Sequence, residues 1–144
     1  MANENEKAAR AVLAGGMRFE AETASGHHVV MDSTDIAGGG TTGPSPMELV
    51  LIGLAGCTGM DVISILRKMR QEVTAYEVAV RGTQAEEHPR VYTAVTVEHT
   101  VTGRHLNPDL VRRAVELSET RYCPVGAMVS KTARIIHEVT IVEA

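Results

Sequence analysis

Ser45-Pro46-Met47-Glu48-Leu49-Val50-Leu51-Ile52-Gly53-Leu54-Ala55-Gly56-Cys57-Thr58-Gly59-Met60-Asp61-Val62-Ile63-Ser64-Ile65-Leu66 sets the architecture of this chain. Ser45 is placed as an N-cap, Pro46 takes the first helical position, and Glu48 stands at the serine-to-glutamate spacing of a capping box. The helix is expected to run to about Gln71. From Leu49 to Leu66 it is apolar nearly all round, the pattern of a central helix buried on most sides. Gly53, Gly56 and Gly59 recur every third residue and trace a stripe without side chains, each costing up to about 1 kcal/mol against alanine. Close packing of a second helix, a partner chain or a ligand is expected along that stripe.

Working outward, Met17–Thr23 alternates apolar with polar, Ser25-Gly26 marks a turn, and His27–Asp32 continues extended. These segments read as a hairpin. Before them, Lys7–Leu13 is expected to form a short helix ended by Gly15-Gly16, and Gly38–Pro46 an irregular loop. Downstream, Tyr76–Arg81 and Val91–Glu98 alternate around the polar break Glu87-His88-Pro89-Arg90, a second hairpin. Asn107-Pro108 starts a helix with Leu110, Val111, Ala114, Val115 and Leu117 on one face. A short helix follows Cys123, and Arg134–Val142 is a last strand. The order describes an α+β domain, a sheet packed on a buried helix. At 144 residues the chain is read as one domain over 1–144, with 1–15 as an N-terminal extension.

Composition excludes several functions. The net charge is −4, with no Trp and one Phe, so the basic face and stacking platforms of a nucleic-acid binder are missing. The apolar run Leu49–Met60 stops short of the ~18 uncharged residues of a membrane span, and the N-terminus is polar and acidic where a signal peptide is basic then hydrophobic. A cytoplasmic, reducing setting with no membrane partner is expected. Six histidines show no metal-ligand spacing, so no metal site is expected.

Two cysteines carry the chemistry. Cys57 sits in the apolar helix among small neighbours, and Cys123 precedes Pro124. If Pro124 opens a helix, Cys123 is its N-cap, where unpaired N–H groups favour a thiolate. A disulfide closing the 66-residue separation could contribute roughly 4 kcal/mol, but stable disulfides are rare in a reducing compartment. Transient redox pairing is one reading. The other is a pair of buried core thiols packing like small hydrophobes. Asp61, four residues after Cys57 on the same face, would raise a thiol's pKa unless a cation offsets it. The candidate cations are Arg18, Arg67, Arg121 and Arg134.

Pro44-Ser45-Pro46-Met47-Glu48-Leu49 leading to Gly53-Leu54-Ala55-Gly56-Cys57, with Tyr122-Cys123-Pro124-Val125 far downstream, resembles the OsmC/Ohr family of osmotically induced and organic-hydroperoxide-resistance proteins. The resemblance spans roughly Gly38 to the C-terminus. It implies an OsmC-like fold, with two chains intertwined as a homodimer around their central helices and active sites at the interface. By that likeness Cys57 attacks the peroxide and Cys123 resolves the product. The substrates would be organic hydroperoxides and the reductant a dithiol such as a lipoyl group, with no metal or cofactor. Glu48 and Arg18 correspond to the family's supporting glutamate and arginine. In the family that glutamate directly follows the helix-opening proline, whereas here Met47 holds the position and Glu48 lies about 100° further round. The departure points to an OsmC-like branch, with a small-ligand-binding or redox-sensing dimer as the alternative to a peroxidase.

Overall fold

The computed structural model describes residues 4–34 and 41–144. The chain forms two compact units, Met1–Val50 and Leu51–Ala144.

The first unit is a three-stranded antiparallel sheet of β1 (Ala9–Leu13), β2 (Phe19–Thr23) and β3 (His28–Met31). The expected β2–β3 hairpin is present, with Phe19 opposite Met31 and Glu22 opposite His28, and Gly26 turns between them at φ +89°. Lys7–Leu13 is not the expected helix. Ala9 to Leu13 pair with Thr23 to Phe19, and Gly15 and Gly16 take positive φ to build the hairpin turn. The segment's helix-forming residues are overridden by cross-strand pairing, which satisfies its backbone against β2. Of the expected loop, Gly38 to Gly40 lie outside the described residues. Asp32 anchors the remainder, its carboxylate accepting from Ser33 N, Thr42 N and Thr42 Oγ1 at 2.8, 3.1 and 2.6 Å. Those donors hold its pKa below the usual carboxylate value.

Helix α1 (Pro46–Lys68) starts as its sequence dictates, in a reciprocal capping box: Ser45 N donates to Glu48 Oε1 at 2.9 Å and Glu48 N to Ser45 Oγ at 3.2 Å. By length and composition α1 is apolar enough to cross a membrane, beyond what its longest uncharged run implies. Leu54, Thr58, Val62 and Leu66 are its fully buried line.

In the second unit α1 lies against a sheet ordered β4 (Glu72–Gln84), β5 (Tyr92–Arg104), β6 (Arg134–Glu143). The β4–β5 pair is the second expected hairpin. β5 and β6 run parallel, which requires the helical crossover of α2 (Pro108–Leu117) and α3 (Pro124–Val129) between them. Val62 and Leu66 of α1, Val101 of β5, and Val111, Ala114 and Val115 of α2 form the core. Asn107 caps α2 through Oδ1, which accepts from Asp109 N and Leu110 N.

Among the described residues, the opposite side of α1 is exposed. Ile52 and Met60 are 58% and 74% exposed, and a Cβ at Gly53 or Gly56 would meet nothing within 4 Å. Only Gly59 of the stripe is packed internally, where a Cβ would stand 3.4 Å from Val78 Cγ2.

Candidate functional site

Between α2 and α3 the chain makes a π-helical turn, Ser118–Tyr122, closed by the Cys123 N–H donating to the Ser118 carbonyl at 2.9 Å. The wider turn lets the backbone bring Cys123 over α1 before Pro124 opens α3. Cys57 and Asp61, one turn apart on α1, meet it there. The two sulfurs and an Asp61 carboxylate oxygen all lie within 4.8 Å of one another. The thiols are free, with Cys123 buried and Cys57 half-buried.

Asp61 is held by a chain of hydroxyls. Ser118 Oγ donates to Asp61 Oδ2 at 3.0 Å, and since that uses its one proton, Thr58 Oγ1 donates to Ser118 Oγ across 2.8 Å. Thr58 and Ser118 are fully buried, and neither role is visible in the sequence. Within residues 51–144 Asp61 makes no ion pair, so hydroxyl donors rather than an arginine satisfy it. Arg121 instead lies 5.5 Å over the Tyr122 ring.

Cys123 is the N-cap of α3, as expected, and its Sγ accepts from Gly126 N at 3.3 Å. The anticipated thiolate does not follow. Burial, together with a hydrogen bond to Cys57 and the charges of Cys57 and Asp61, pushes the Cys123 thiol up to about 11, outweighing the Gly126 amide. One amide from a helix of six residues cannot offset desolvation of the sulfur. Cys123 therefore keeps its proton beside Cys57.

A second polar group lies on the sheet behind. The alternation of β5 turns Val95, Val97, His99 and Val101 inward, and β6 directs Ile135, His137 and Val139 the same way. Tyr76 Oη and His99 Nδ1 are 2.6 Å apart, and His99 Nε2 and His137 Nδ1 are 2.9 Å apart. Burial, and then the Asp61 charge, hold the Tyr76 phenol above its usual value, while burial and neighbouring His137 bring His99 down to about 4. Burial also lowers His137 against the opposing pull of Glu119. Each neutral imidazole carries one N–H and one bare nitrogen, so Tyr76, His99 and His137 join in one continuous hydrogen-bonded chain. A cavity of about 240 Å³ adjoins, walled by Cys123, His137, Glu119, Leu54 and Ile135.

The other expected site residues belong to the first unit. Glu48 is engaged with Ser45, which lowers its pKa, and Arg18 Nη2 donates to Glu20 Oε1 at 2.8 Å. Two thiols and a carboxylate are also a donor set of the kind that holds a soft divalent cation, a convergence that residue spacing in the sequence does not reveal.

The family described as OsmC-like protein matches residues 38–138. Protein YhfA of Escherichia coli K12 is 42% identical over 136 residues, covering 94% of this chain and 98% of that protein. A hypothetical protein from Aquifex aeolicus superposes with a TM-score of 0.86 at 26% identity, over 97% of this chain and 98% of its own. An organic hydroperoxide resistance protein OsmC from Legionella pneumophila shares the fold, with a TM-score of 0.72 at 17% identity over 96% and 99% of the two chains.

Proposed function

The chain belongs to the OsmC-like protein family, and from that premise we propose that it is a cytosolic thiol peroxidase that reduces organic hydroperoxides. Family membership supports a redox or peroxide-stress role. The juxtaposition of Cys57, Cys123 and Asp61 carries the finer reading. The Cys57 thiolate attacks the outer oxygen of ROOH, the O–O bond breaks, and the departing alkoxide takes up a proton as ROH. The resulting Cys57 sulfenic acid condenses with the Cys123 thiol, forming the disulfide and releasing water. An external dithiol then returns two electrons.

The burial and raised pKa of Cys123 support the resolving role for it, since that sulfur enters the reaction as a thiol. The bare face of α1 supports a homodimer, because a second copy would cover Ile52, Met60 and the open glycines. Glu48 and Arg18 enter as supporting residues, tested by Glu48→Gln and Arg18→Lys, each of which should slow oxidation.

Turnover of a small alkyl hydroperoxide with a dithiol should vanish in Cys57→Ser, while Cys123→Ser should accumulate a sulfenic acid trapped by dimedone. Turnover retained by Cys57→Ser would refute the assignment. The rival reading, a ligand-binding or redox-sensing dimer, draws on the cavity beside Cys123. It is favoured if the disulfide forms slowly and peroxide is not consumed catalytically.

A further inference from the structure

The cavity next to the two sulfurs is not symmetric toward them. Cys123 forms part of its wall together with Leu54, Ile135, Glu119 and His137, and Cys57 does not. Gly126 keeps the approach to Cys123 open, since a Cβ there would stand 3.4 Å from Cys123 Sγ and 3.7 Å from Leu54 Cδ1. The walls combine aliphatic surface with the His137 edge, whose Nδ1 is committed to His99, leaving Nε2 as the ring nitrogen it can offer an occupant.

We propose that this cavity is the port for the reducing dithiol, which attacks the Cys57–Cys123 disulfide at Cys123 Sγ and releases Cys57 first. The inference rests on that disulfide forming. The occupant is a small dithiol with a short hydrocarbon spacer, its carbons against Leu54 and Ile135.

The exchange proceeds in two displacements. The incoming thiol gives its proton to water and attacks Cys123 Sγ as the thiolate. The new S–S bond forms to Cys123, the old one breaks, and Cys57 leaves as thiolate. The reductant's second thiol then loses its proton and attacks the reductant sulfur of the mixed disulfide. A cyclic disulfide forms and Cys123 leaves, taking up a proton. The dithiol is oxidised by two electrons and the protein disulfide is reduced by two.

Leaving-group chemistry agrees with this order. A thiol pushed up to about 11 departs slowly, so direct expulsion of Cys123 by an external thiol is the less favourable opening. In the second displacement the attack is intramolecular, which offsets that handicap. A monothiol has no second displacement and should stall at the mixed disulfide.

The test needs no peroxide. The full-length protein is oxidised with diamide, treated with substoichiometric 2-mercaptoethanol, quenched with N-ethylmaleimide and mapped by peptide mass spectrometry. The expected product carries mercaptoethanol on Cys123 and maleimide on Cys57, and the reverse pattern would overturn the proposal. Ile135→Phe, which fills the cavity, should slow reduction of the preformed disulfide by dithiothreitol tenfold or more, with circular dichroism confirming the fold. An unchanged rate in the folded variant would also overturn it. If diamide forms no disulfide, this inference and the peroxidase reading fall together. If Cys123 is the site of attack but no hydroperoxide is turned over, only the peroxidase reading falls.

Discussion

His99 Nε2 and His137 Nδ1 face each other at 2.9 Å on neighbouring parallel strands, so one proton lies between a buried imidazole and a half-buried one. Adding a further proton places a positive charge where burial already opposes it. The native His99 value, about 4, lies below the ordinary 6.5, so between those pH values the unfolded chain binds the extra proton and the native chain does not. The stability that neutral His99 contributes is therefore lost as pH falls through that window, and this contribution changes no further below it. The loss attributable to His99 is about 3 kcal/mol, and His137, shifted in the same direction, adds to it. Urea unfolding at half-unit steps from pH 7 to 4 should show this decline, and His99→Gln should flatten it. Parallel curves for the two proteins would contradict the assignment.

Ser118 links Thr58 to the Asp61 carboxylate from a fully buried position. Removing its hydroxyl in Ser118→Ala strands one donor and one charged acceptor. The expected cost is roughly 1–3 kcal/mol in chemical denaturation. A double-mutant cycle with Thr58→Val should give a coupling energy clearly different from zero, as expected for groups in one network.

Asp61 helps keep the Cys123 thiol protonated through its charge. In a Cys57→Ser background, the midpoint of the pH–rate profile for iodoacetamide modification of Cys123 should drop when Asp61→Asn is added. An unmoved midpoint would mean that the carboxylate does not act on that sulfur.

Met60 and Ile52 stand on the uncovered apolar side of α1. Met60→Glu should shift the protein from dimer to monomer in sedimentation velocity at micromolar concentration, with the far-ultraviolet circular dichroism retained. A dimer that survives both Met60→Glu and Ile52→Glu would place the interface elsewhere.

Much of this was legible in the residues. The capping box, the apolar helix, both hairpins, the Asn107 cap and the Cys123-Pro124 helix start are local signals, and each forms where the pattern says. Ala9–Leu13 misled because its propensity is helical while its pairing partner, β2, lies ten residues away. The protonation of Cys123 misled for a related reason, since a cap is written in sequence but desolvation arises from packing. Tyr76, His99 and His137 went unrecognised as a group, although the alternation Val95, Val97, His99, Val101 already turned one imidazole toward the core. Their meeting depends on the β4-β5-β6 order, which no single segment encodes.

The π-helical turn Ser118–Tyr122 gives this architecture an indel sensitivity that its exposed side chains would not suggest. Deleting or adding one residue there would force the wide turn to close differently and change where the chain leaves it beside α1. The spacing across that turn is thus a length constraint on the chain, beside the constraint on residue type that Ser118 already carries.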